Sequence, residues 1–194
     1  MDMLMQAIEG IVFIHERHRI AHRDLFLSNF LPEWHPNTLD PNVKRRGFTR
    51  PRVYLIDFET VVDFPEDSIP EECVVTGYPF PLDYYGRPVA PEFQVSDTYD
   101  PFALDIWQFG SDLTRFRSTI WEIDEILEST RNEDPPTRPT AAELLDSLDA
   151  VVSGIPPALL RKKPMELPEE PYVMSDSLYR RLEANRERFE AEAK

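Results

Sequence analysis

The chain has 194 residues, room for one domain at ~150 residues per domain, with a tail to spare. Its 41% hydrophobic and 11% aromatic content is enough for a real core and excludes wholesale disorder. A net charge of −15 excludes a long basic stripe along nucleic acid or anionic lipid, and no apolar run nears the ~20 residues of a membrane span.

The single cysteine, Cys73, excludes an internal disulfide and a Cys-based zinc site. No secretory pattern opens the chain, so Cys73 reads as an ordinary thiol in a reducing compartment, and the expected location is intracellular, cytoplasmic or nuclear. Proline, at 19 residues, is about twice its usual frequency and points to long ordered loops rather than a simple bundle.

Residues 2–18 read as an amphipathic helix, with Leu4, Ile8, Ile11 and Val12 at helical spacing. A short mixed stretch follows over 19–31, and then a proline-rich loop over 32–52 with the basic cluster Lys44-Arg45-Arg46. Such a cluster in an acidic chain reads as a solvated turn. Residues 53–57 read as a short buried strand, and 63–101 as a long irregular segment, the kind that is usually functional or disordered.

Helical pattern returns near residue 102 with the stripe Ile106, Phe109, Leu113 and Phe116, continued by Ile120, Ile123, Ile126 and Leu127 after a break. Residues 132–139 form a turn. Thr140 and Glu143 make a capping box, and Leu144, Leu145, Leu148, Val151 and Val152 give the buried face of the helix behind it. Gly154-Ile155-Pro156-Pro157 ends that helix, 155–175 reads as a linker or surface strap, and 176–192 as a charged helix. The expected division is 1–154 as the domain and 155–194 as linker and C-terminal helix.

The chemistry concentrates in His22-Arg23-Asp24-Leu25-Phe26-Leu27-Ser28-Asn29, with Asp57-Phe58-Glu59 at the end of the expected strand. Phosphoryl transfer needs a carboxylate to take a hydroxyl proton and oxygen ligands to hold Mg²⁺ on the phosphates. Asp24 has the chemistry of the first, and Asn29 and Asp57 of the second.

These residues resemble the eukaryotic protein kinase family. Ala90-Pro91-Glu92 is similar to the motif that closes an activation segment, here 57–92. Asp105-Ile106-Trp107-Gln108-Phe109-Gly110 resembles the start of the central helix of the large lobe, and Arg138-Pro139-Thr140 a late motif of the same lobe. The resemblance implies a mainly α fold, a protein-kinase-like large (C-terminal) lobe with a few short strands. It implies ATP and Mg²⁺ as cofactors, Asp24 as base, Asn29 and Asp57 on the metal and nucleotide, and a Glu92–Arg138 ion pair. It further implies that Asp105 braces the catalytic loop 22–29, that Arg23 holds the activation segment, and that His22 is packed and hydrogen-bonded. Val89-Ala90-Pro91-Glu92 with Tyr99-Asp100-Pro101-Phe102 also looks like kinase-like proteins of mushroom-forming fungi.

The departures are specific. Only residues 1–21 precede His22, Gly10 is their sole glycine, and Lys44, Lys162, Lys163 and Lys194 all follow the catalytic loop. The small lobe, with its Gly-rich strands and ATP-binding lysine, is therefore expected to be absent from this chain. A partner or a longer parent would supply it. Phe26 stands where serine/threonine kinases carry a lysine, which removes a cation from the γ-phosphate. Glu59 stands where the family has glycine. Ile56-Asp57-Phe58-Glu59 with His22, Asp24 and Asn29 is also similar to small-molecule kinases of the aminoglycoside and choline type. Three readings stay open: a protein kinase completed by a small lobe, a catalytically inactive scaffold, and a small-molecule phosphotransferase.

Overall fold

The computed structural model describes residues 1–33, 52–69, 72–79, 86–160 and 165–166. The expected basic cluster at 44–46 and the expected helix at 176–192 lie outside the described residues.

Helix α1 (Asp2–Val12) buries Ala7, Ile8 and Ile11 and runs on through a single π turn, Phe13–Arg17. The wider turn brings Ile14 and His15 onto the buried side together. Two short strands follow, β1 (Ile20–Ala21) and β2 (Phe30–Pro32), then β3 (Val53–Leu55) and β4 (Val62–Asp63). β1 pairs with β4, and β2 with β3, each antiparallel, with Phe30 opposite Leu55 and Leu31 opposite Tyr54. Further on, β5 (Val75–Thr76) pairs antiparallel with β6 (Thr98–Tyr99).

Helix α2 (Pro101–Leu113) starts on a strong signal. Asp100 Oδ1 accepts the N–H groups of Phe102 and Ala103, and Pro101 occupies the first turn, where its missing N–H costs nothing. After β7 (Phe116–Arg117) come α3 (Trp121–Ser129) and α4 (Ala141–Ser153). The Thr140–Glu143 capping box forms in full at the start of α4. A single turn, α5 (Pro157–Leu160), and β8 (Met165–Glu166), antiparallel to β7, close the described chain. The fold is mainly α, with two-residue and three-residue strands at its margins.

Among the described residues one core joins the four long helices. Ile8 and Ile11 of α1, Ile106 and Phe109 of α2, Ile123 of α3, and Leu144 and Leu148 of α4 are buried together with Leu25 and Phe30. Each such side chain contributes roughly 1.5–3 kcal/mol by leaving water. Gly110 of α2 is fixed by this packing: a Cβ there would collide with Thr130 Oγ1 at the end of α3. A second cluster, Val89, Ala90, Phe93, Tyr99 and Leu104, ties the segment before α2 onto that helix.

Two sequence expectations change. Residues 53–57 are not a buried strand: among the described residues β3 pairs only with β2, so Val53 and Leu55 face the core while Tyr54 is 49% exposed and Ile56 36%. Phe116 does not continue the α2 stripe, because the helix ends at Leu113 and Phe116 lies in β7.

Candidate functional site

Asp105, Gln108 and Asp112 stand at i, i+3 and i+7 on α2 and so share one face of the helix. That face captures the backbone of residues 22–27, which runs beside it without forming a sheet. Asp105 is fully buried. Its Oδ2 accepts the His22 N–H and its Oδ1 the Arg23 N–H, both at 2.7 Å, and His15 Nε2 lies 2.9 Å from Oδ2. Gln108 Oε1 accepts the Leu25 N–H at 2.8 Å while its Nε2 donates to the Arg23 carbonyl at 2.9 Å. Asp112 Oδ2 accepts the Leu27 N–H at 2.8 Å. Buried backbone donors must find partners, and here a helix supplies them from side chains. Burial pushes the Asp112 carboxyl up from its ordinary range, against the opposing pull of the Leu27 N–H and of Arg87 and Arg115.

The loop so held has a strained residue in it: Arg23 takes φ 66°, in the left-handed region. Its side chain reaches across to the 57–92 segment, donating to the carbonyls of Thr60 (3.5 Å) and Gly77 (3.3 Å) and to Tyr99 Oη (3.1 Å). Tyr99 in turn donates to the Gly77 carbonyl at 3.0 Å, and burial pushes its phenol up, partly offset by Arg23. His22 is fully buried, its Nε2 2.9 Å from the Ile56 carbonyl and its ring 5.0 Å from that of Phe58, centroid to centroid. Its carbonyl accepts the Thr60 hydroxyl at 2.8 Å.

Asp24 and Asn29 lie together, both buried. Asn29 Nδ2 donates to the Asp24 carbonyl at 2.7 Å and to Asp24 Oδ2 at 2.8 Å. Asp24 Oδ1 is buried with no hydrogen-bond partner among the described residues. Arg87 Nη2 stands 3.5 Å from Asp24 Oδ2, and the same guanidinium lies over the Phe26 ring, 4.8 Å from its centroid.

Asp57 follows β3 by two residues, exposed, and takes φ 67° at the turn into 58–60. It is linked to the loop at one remove: the Ile56 carbonyl faces the His22 ring, and the Ile56 N–H donates to the Asn29 carbonyl at 3.0 Å. Around it Leu31, Tyr54, Ile56 and Phe58 are 48%, 49%, 36% and 44% exposed, an apolar edge.

Glu92 and Arg138 close on each other away from the loop. Two bonds, at 2.8 and 2.7 Å, make the pair bidentate, and Arg138 also donates to the carbonyls of Ala103 and Asn132. Both side chains are buried.

Four residues of this site escaped the sequence reading. Gln108 and Asp112 had a usable signal, polar residues recurring with Asp105 on a helix whose other face is apolar. His15 carries no local signal for its partner: its ring reaches Asp105 where the π turn places it on the buried side. Arg87 gave no local signal, since its position depends on the path of the segment that carries it. Among the described residues no three His, Cys, Asp or Glu side chains are grouped as a metal cluster, and no helix is long and apolar enough to cross a membrane.

No family model matches the chain. Among curated proteins it is similar to serine/threonine-protein kinase ppk8 of Schizosaccharomyces pombe, 29% identical over 162 residues, which cover 76% of this chain and 26% of that protein. The chain thus spans about a quarter of the length of that relative. The likeness supports a distant kinase-like relationship.

Proposed function

We propose that this chain carries the large-lobe half of a protein-kinase-like site, which moves a phosphoryl group from ATP to a protein hydroxyl when a nucleotide-binding lobe is joined to it. The observation that carries the reading is the Asp24–Asn29 pair, bonded side chain to side chain at 2.8 Å, with Asp24 Oδ1 left buried and unpartnered among the described residues. An orphaned buried carboxylate oxygen is costly and marks a place for an incoming donor. In this reading the donor is the acceptor hydroxyl, whose proton Asp24 takes.

Asn29 spends its amide nitrogen on Asp24, which leaves its amide oxygen for a cation. With the exposed Asp57 carboxylate it offers two hard oxygen donors, the kind of set Mg²⁺ accepts when substrate phosphates and water complete its shell. Bound Mg²⁺–ATP would supply the transferable phosphoryl group and neutralise its charge. The chain's own part is positional: the α2 face holds residues 22–27, and Arg23 ties them to the 57–92 segment. Positioning is most of what phosphoryl transfer asks of a protein. The apolar edge of Leu31, Tyr54, Ile56 and Phe58 beside Asp57 is where the missing lobe docks, from a longer parent or a partner. The likeness of Val89–Glu92 and Tyr99–Phe102 to kinase-like proteins of mushroom-forming fungi belongs to the same proposal.

The test is to recover the protein from its source with an antibody against residues 155–194. Its size is read first, then transfer of labelled γ-phosphate to itself and to added protein. Transfer that falls at least ~100-fold in Asp24→Asn supports the reading. Nucleotide-independent behaviour with no transfer from the intact assembly turns the assignment to the inactive scaffold. Transfer to a small cationic alcohol but not to protein turns it to the small-molecule phosphotransferase.

A further inference from the structure

Phe26 is fully buried and carries no charge, so the catalytic loop supplies no cation at that place. Carboxylates are close by: Asp24 belongs to the loop itself, Asp112 accepts the Leu27 N–H, the exposed Asp57 follows β3, and the chain as a whole carries −15. A terminal phosphate entering such a place is repelled unless a fixed positive group meets it. Arg23 is committed to the Thr60 and Gly77 carbonyls and Tyr99, and Arg138 is committed to Glu92.

Among the described residues Arg87 is the cation that faces Asp24. Its side chain is 33% exposed, and its guanidinium stands 3.5 Å from Asp24 Oδ2, too far for a strong hydrogen bond and close enough for charge to act. The Phe26 ring beneath it, at 4.8 Å, holds the guanidinium plane by cation–π attraction. A planar fork of donors so placed suits bidentate recognition of a phosphate.

We propose that Arg87 is the phosphate-binding cation of this site, delivered by the segment leading into Ala90-Pro91-Glu92, with Phe26 as its platform. The inference rests on the phosphoryl-transfer reading and adds to it the group that meets the terminal phosphate. It also gives the Phe26 replacement a physical sense, since the position lost a charge and gained a surface on which another charge rests.

The probe is tripolyphosphate with Mg²⁺, titrated calorimetrically into the intact assembly for the native protein, Arg87→Ala, Arg87→Lys and Asp57→Asn. Arg87→Ala is expected to bind about tenfold more weakly or worse, with Arg87→Lys between it and the native protein. Asp57→Asn is expected to lose the Mg²⁺ dependence alone. If Arg87→Ala is poorly folded by circular dichroism, the Arg87→Lys step carries the comparison. Equal binding by the Arg87 variants, with Asp57→Asn still losing its Mg²⁺ dependence, overturns the role of Arg87 and leaves the transfer reading standing. Tighter binding by Arg87→Ala shows a latch over Asp24 and likewise overturns it. No binding by any form removes the role of Arg87 and the transfer reading together.

Discussion

Glu92 and Arg138, 46 residues apart in the chain, meet in a bidentate pair whose four-atom contact is sealed from water. The pair clamps the end of the 57–92 segment to the turn before α4. Arg138→Ala strands a buried carboxylate, and a loss of ~3–5 kcal/mol in urea unfolding is the expected result. The double variant Glu92→Leu, Arg138→Met removes both charges and is expected to recover much of that loss. If the double variant is as unstable as the single, the destabilisation comes from lost packing and not from the stranded charge.

Asp105 holds the loop through two amides and the His15 ring, so its removal acts locally before it acts globally. In Asp105→Ala, hydrogen exchange at the His22 and Arg23 amides is expected to quicken by more than the change in overall stability accounts for. Three donors lose their shared acceptor, at about 1–3 kcal/mol for each left buried. Exchange that tracks global unfolding alone counts against the bracing role.

Gly110→Ala presses a methyl group into Thr130. Overpacking of this kind costs roughly 1–3 kcal/mol. Thr130→Ala in the same chain removes the hydroxyl in the way, so the two changes are expected to be non-additive in thermal unfolding. Simple additivity places the fault elsewhere.

Asp112 gives a pH signature. Burial raises its carboxyl in the folded chain above the ordinary value, so the ionised form is disfavoured on folding. Such a group binds more protons folded than unfolded, and stability falls as pH rises from the ordinary carboxylate range through the raised folded value. Asp112→Asn keeps an oxygen for the Leu27 N–H and removes the charge. The variant is expected to be the more stable at neutral pH, with the gap closing as pH falls into the acid range. A gap that stays constant with pH separates the effect from ionisation.

Where local chemistry dictates structure, the sequence was readable. The Thr140–Glu143 box and the Asp100-Pro101 start need only a few neighbouring residues, and the apolar stripes of α1, α2 and α4 settle which face turns inward. The resemblance drew attention to Asp24, Asn29 and Asp57, which the chain's path brings near one loop. What stayed hidden depends on distant partners. Whether β3 is covered is decided by the number of strands beside it, which its own residues do not encode. His15 turns inward through a π turn that no residue of 13–17 announces. Arg87 reaches Asp24 from 63 positions away, and only the packing of Val89, Ala90 and Phe93 onto α2 puts it there.

The pairing of β2 with β3 has a consequence for the two site residues that flank it. Pro32 lies opposite Val53, and the Glu33 N–H donates to the Arg52 carbonyl at 2.6 Å, so the backbone departs and returns at almost one point. A stem closed in this way fixes the point at which the chain leaves the described fold and the point at which it rejoins it. Asn29 directly precedes one strand of the stem and Asp57 follows the other by two residues, so the same short ladder sets the spacing of the two oxygen donors.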